Sequence, residues 1–128
     1  MTTTALLDAN ALMLPVEGGV RVFDELDRLL TVYEPVTAQA VVDELEKLAA
    51  ESGGEEATAA SVGRDLADRC RVVEAEAEYA DDAVVELASG DFDGYVVTND
   101  KPLRDRLLAR NVRVIGLRGA NTLAVTEP

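Results

Sequence analysis

The sequence has no histidine and no tryptophan, one cysteine, and only three tyrosines and two phenylalanines. Without histidine, zinc centres of the Cys/His kind and any imidazole general base or nucleophile activator are excluded. The lone Cys70 cannot form an intrachain disulfide, and no apolar run is long enough to cross a bilayer. No basic leader with an apolar core follows Met1, so a soluble, cytoplasmic protein is expected. Few aromatic rings also means few platforms on which unpaired bases could stack. Chemistry in this chain must run on carboxylates, hydroxyls, amides and cationic side chains.

Carboxylates are plentiful. The net charge is −13 and the pI about 4.2, a balance that by itself speaks against a polyanionic partner. Its distribution alters that reading. From Lys101 to Arg118 six basic residues face the single Asp105, a local balance of +5, whereas residues 1–100 carry −17. The 128 residues are the length of one domain able to bury its own core.

The chain alternates between two periodicities. "TALLDANAL" opens with a strand ending at Asp8, and "VRVFDELDRLL" has the apolar spacing of an amphipathic helix. "TVYEPV" reads as a second strand, followed by the helix "AQAVVDELEKLAA" with Thr37 as its N-cap. A weaker helix spans residues 56–70, "RVVEA" a third strand, "ADDAVVELASG" a short helix, "YVVT" a fourth strand. "PLRDRLLARN" is a helix with Pro102 in its first turn, and "VRVIGL" a fifth strand. Strands alternating with helices predict an α/β fold, a three-layer α/β/α sandwich with a mostly parallel central sheet.

Open sheets of this kind bind ligands beyond the carboxyl ends of their strands. Asp8 follows the first strand and Asp100 the fourth, positions where an aspartate can cap a helix or hold a ligand. On the second helix Glu44 stands beside Leu48 at the edge of the apolar arc, while Asp43 points away. In "ADDAVVELA", Asp81 has Val84, Val85 and Ala88 at i+3, i+4 and i+7 and so lines up with buried positions; Asp82 does not. Converging acids raise one another's pKa unless a cation neutralises them, and Mg²⁺ or Mn²⁺ suits an all-oxygen ligand set.

"LLDAN", "VVDELEKLA", "YADDAVVELA" and "VVTNDKPLRDRL" followed by "VRVIGLRG" together resemble the PIN-domain nuclease family over essentially the whole chain. The "YADD" and "TND" segments look most like its archaeal and eukaryotic branch that processes ribosomal RNA; VapC toxins are relatives. The resemblance implies a Mg²⁺- or Mn²⁺-dependent endoribonuclease with Asp8, Glu44, Asp81 and Asp100 as its catalytic acids. Asp8, Asp81 and Asp100 would be the metal ligands, with Asp82 as substitute for Asp81, and Asn10 and Thr98 would support them by hydrogen bonds. Ala9 departs from the family pattern, which often has a polar residue there. Lys101, Arg104 and Arg106 would contact the RNA backbone. Homodimers are common among such domains, and a VapC-type chain would pair with an antitoxin. Two other classes stay open: a phospho-acceptor receiver domain, against which stand the solitary Asp8 and the absence of a lysine in "VIGLRG", and a non-catalytic RNA-binding or assembly factor that keeps the fold.

Ten arginines against two lysines in so acidic a chain suggest a protein adapted to concentrated salt, where the screening length falls to about 3 Å at 1 M and self-repulsion fades. The thermal midpoint is therefore expected to climb with KCl up to molar concentration. A midpoint that stays flat or falls would count against halophilic adaptation.

Overall fold

The computed structural model describes residues 2–128. A six-stranded sheet runs in the order β3-β2-β1-β4-β5-β6. Its strands are β1 (Thr3–Leu7), β2 (Tyr33–Ala38), β3 (Arg71–Val73), β4 (Gly94–Val97), β5 (Arg113–Arg118) and β6 (Thr122–Thr126). The first five are parallel, and β6 returns antiparallel to β5. Six α-helices accompany them: α1 (Ala9–Glu17), α2 (Val22–Leu30), α3 (Gln39–Glu51), α4 (Gly54–Leu66), α5 (Ala80–Leu87) and α6 (Lys101–Ala109). Successive residues of a strand point to opposite faces, yet Leu6 and Leu7, Val96 and Val97, and Val114 and Ile115 are all buried. Both faces are thus covered, which is the expected three-layer arrangement.

Two elements differ from the sequence reading. A helix, α1, follows Asp8 directly, where no helix was expected. Its run "ANALMLPV" is apolar on almost every side, so it lacks a polar stripe that would set a 3.6-residue period, and Pro15 lies inside it. The antiparallel edge strand β6 is also additional; apart from Leu123 it is largely exposed, which leaves little alternation to read. Thr37 does not cap α3. It belongs to β2, and its hydroxyl donates to the Leu7 carbonyl at 2.7 Å, tying the ends of β2 and β1 together, while Ala38 takes the cap position. Pro35 is accommodated because β3 joins β2 only from Val36 onward, leaving an open edge beside the proline.

Close packing depends on small residues at defined places. α4 turns Ala59, Ala60 and Gly63 inward, and a Cβ on Gly63 would stand 3.0 Å from the Leu12 carbonyl oxygen of α1. Gly94 is tighter still. It pairs with Thr4 across β1 and β4, and a Cβ there would fall 2.1 Å from the Thr4 carbonyl oxygen. Since that obstacle is backbone of the central strand pair, nothing soft can yield. Gly94→Ala is expected to destabilise the fold by about 3 kcal/mol, the upper end for overpacking. Urea denaturation checks this, with a change under about 1 kcal/mol contradicting it.

Candidate active site

The chain leaves β1 to build β2 and β3 on one side, then crosses to place β4 on the other, so the switch point lies between the carboxyl ends of β1 and β4. Asp8 ends one of these strands and the Thr98-Asn99-Asp100 segment ends the other. Asp8 is 2 % exposed and caps α1, its Oδ1 accepting from the Ala11 backbone N–H at 2.7 Å. Its second oxygen accepts a short bond from the Thr98 hydroxyl. That hydroxyl also accepts from the Asp100 N–H at 3.0 Å, and Thr98 is itself anchored to β5 by its N–H on the Ile115 carbonyl. Asp100 caps α6 by accepting from the Leu103 N–H at 3.0 Å. Asn10 accepts from the Asn99 N–H at 2.8 Å, a second tie between the first turn of α1 and the loop after β4. Capping and site geometry are therefore the same contacts: each aspartate spends one oxygen on a helix and is fixed in place by doing so.

A cavity of about 480 Å³ opens beside these groups, and Asp8, Glu44, Asp81 and Asp100 all line it. Four elements remote in sequence deliver them: the end of β1, α3, the first turn of α5 and the start of α6. Asp82 lies elsewhere, paired with Arg106 at 2.9 Å, so the helical phase that distinguished the two aspartates is realised in space. Lys101 and Arg104 occupy the first turn of α6 and the turn's continuation. The basic run of the sequence does not stay together, because Arg113 at the start of β5 stacks on Tyr95 at the opposite end of the sheet.

Two further carboxylates reach the cavity, Glu17 from the last turn of α1 and Glu56 from the first turn of α4. Neither was singled out by sequence. The available signal for Glu17 was its phase with Ala9 and Met13, which line the same cavity at i, i+4 and i+8 once α1 is a helix. Tyr79, 75 % exposed just before α5, supplies the one aromatic ring of the lining.

Burial first, and crowding of like charge second, raise the pKa values of Asp8, Glu44 and Asp81. Burial pushes the Asp8 carboxyl up to about 7; the Thr98 and Ala11 donors pull it back, and the charges of Asp81 and Asp100 push it further. Partial desolvation and then Asp100 raise Asp81, with Arg106 opposing. Partial desolvation and then Asp81 raise Glu44. Among the described residues no three of these acids close tightly enough to hold an ion by themselves. The cup is open and its donors are all hard oxygens, which fits an ion such as Mg²⁺ that keeps several of its waters rather than one needing a complete protein cage.

An acid whose folded pKa lies above its unfolded value holds its proton in the folded state, so folding costs nothing extra below pH 4. The penalty grows as pH rises from about 4 to 7 and is complete above that. The metal-free protein is accordingly expected to lose stability across this window, and Asp8→Asn, which keeps the shape and the cap, to be more stable than the parent at pH 8 by a few kcal/mol. Thermal midpoints in EDTA at pH 5 and pH 8 check this; a parent and variant that respond alike to pH would contradict it.

A family model described as "PIN like domain" matches residues 5–120. Among curated proteins, Ribonuclease VapC4 of Methanocaldococcus jannaschii is 29% identical over 114 residues, covering 87% of this chain and 87% of the relative. Among solved structures, that of the PIN domain endonuclease Utp24 superposes with a TM-score of 0.78 at 22% identity, covering 98% of this chain and 92% of the other. The receiver-domain alternative is thereby set aside. By the match of that family model across residues 5–120, the chain belongs to the PIN-like domain family.

Proposed function

We propose that this chain is a Mg²⁺- or Mn²⁺-dependent endoribonuclease whose reaction is hydrolysis of an RNA phosphodiester bond. The observation that carries the reading is the convergence of Asp8, Glu44, Asp81 and Asp100 on one cavity at the switch point between β1 and β4. Such a concentration of negative charge in one cup opposes an RNA phosphate unless a cation stands between them.

Asp8, Asp81 and Asp100 would hold the ion, directly or through its waters, with Thr98 and Asn10 keeping Asp8 and the α6 cap in register. When bound, the ion supplies charge neutralisation at the phosphate and a more acidic water. Glu44 stands at the solvent-open side of the cup, where its raised pKa suits it to orient an attacking water and accept its proton. The water oxygen forms one bond to phosphorus as the ribose oxygen departs. Lys101 and Arg104 on α6 are placed to meet the substrate backbone, a contact that positions without reading bases. Arg106 is engaged by Asp82 and contributes less.

Processing of ribosomal RNA is the role supported by the "YADD" and "TND" segments. A VapC-type toxin is the second reading, supported by the similarity to a protein named Ribonuclease VapC4. A small antitoxin gene immediately upstream would favour the second reading, its absence the first.

With Mn²⁺ and a single-stranded RNA, Asp8→Asn, Asp81→Asn and Asp100→Asn are each expected to lower the cleavage rate by at least about 100-fold, the upper end for loss of a group that orders a metal site. Asp82→Asn should keep most of it. Parent-like cleavage by Asp8→Asn would reject the site, and reversal of the two neighbouring aspartates would reassign the ligand.

A further inference from the structure

On the other side of the Thr98-Asn99-Asp100 segment lies a second cleft, of about 260 Å³, walled by Thr98 and Asn99, by Arg104 of α6, by Leu117 and Arg118 of β5, and by Val125 of β6. Its electrostatics are the reverse of the acidic cup. In a chain of net charge −13, no carboxylate lines this cleft among the described residues, and two arginines do. Arg118 enters no ion pair among the described residues. Arg104 meets only its sequence neighbour Asp105, at 3.4 Å on the exposed surface, a contact too weak to hold it. Most other arginines are taken: Arg28 by Glu25, Arg64 by Glu46 and Asp68, Arg71 by Glu34, Arg106 by Asp82.

Asn99 is fixed on the ridge between cup and cleft. Its N–H donates to Asn10, and its side-chain oxygen accepts from the Leu117 N–H at 3.4 Å, which leaves the two amide hydrogens of its side chain for a ligand. Leu117, Ala124 and Val125 add an apolar floor without an aromatic ring. The volume lies just below the range of about 300–1,000 Å³ typical of small-ligand pockets. It suits a phosphate with its ribose better than a stacked base.

We infer that this cleft seats a backbone phosphate of single-stranded RNA next to the one cleaved, gripped by Arg104 and Arg118 and hydrogen-bonded by Asn99. The inference rests on the ribonuclease reading and adds to it a substrate path: the strand crosses the Thr98–Asp100 ridge with one phosphate in the acidic cup and a neighbour in the cationic cleft. Since all three contacts are to phosphate or sugar, they set register and affinity without base preference. Edge strand β6, absent from the sequence reading, forms the outer wall of this path.

The test uses Glu44→Gln, which keeps the three aspartates that would hold the ion, as a cleavage-deficient parent and measures its binding of fluorescent homopolymeric single-stranded RNAs with Mn²⁺ present across a KCl series. Adding Arg104→Gln and Arg118→Gln together is expected to weaken binding about tenfold at low salt, equally for each homopolymer. The slope of log K against log salt should flatten by about 0.7, the value for one lost phosphate contact on a single strand. Arg110→Gln, at the far end of the same helix, serves as the charge control and should change the slope little. All altered side chains reach the surface, and an unchanged thermal midpoint verifies folding. If the parent binds RNA and the double variant binds with the same affinity and slope, or no worse than the Arg110 variant, the cleft is not on the path. If wild-type protein neither cleaves nor binds any RNA with Mn²⁺ present, the ribonuclease reading falls and takes the cleft with it.

Discussion

The buried carboxylate of Asp8 is the constraint around which the rest is organised. Only 2 % exposed, it holds Ala11 at the start of α1 and the Thr98 hydroxyl at the end of β4, and through that hydroxyl the backbone of Asp100. Three elements are fixed by one side chain. An anion so placed is costly alone, so its surroundings supply donors on one side and raise its pKa, and on the proposed reading a cation completes the other side. The donors are in the fold. The open side faces the cup, where Asp81, Asp100 and Glu44 add to the unbalanced charge instead of relieving it.

That imbalance links stability to function. A fold built for stability alone would replace Asp8 by a neutral cap of similar shape, since asparagine caps helices equally well. Retaining a carboxylate whose proton leaves only near neutrality costs folding energy, a strain of the kind found at sites organised for ligands. The same segment that bears the load also divides the surface into regions of opposite sign: six acids around one cavity, and a carboxylate-free cleft with two arginines on the other side of Thr98 and Asn99.

What the sequence displayed well was whatever is encoded by local phase. Helical spacing placed Glu44 at the edge of α3 and chose Asp81 over Asp82, and alternation of strands and helices announced the parallel sheet. It displayed poorly what depends on tertiary surroundings. α1 is buried on several sides and so carries no polar stripe, which hid Glu17 with it. Thr37 looked like a cap because its type favours caps; the need to satisfy the Leu7 carbonyl decided otherwise. The cationic stretch after Asp100 read as one patch, yet the strand and helix geometry sends Arg113 to the opposite end of the sheet and Arg106 to Asp82, leaving Arg104 and Arg118 together. Charge counted along a chain says little about charge gathered in space.

The central claim is that the cup formed by Asp8, Asp81 and Asp100 exists to hold a divalent cation. Anomalous diffraction from crystals soaked in Mn²⁺ tests it most directly. The account predicts a manganese peak inside this cavity, ligated by Asp8 directly or through one water and lost in Asp8→Asn. Manganese found only at surface carboxylates, with the cavity empty at saturating ion, would contradict it.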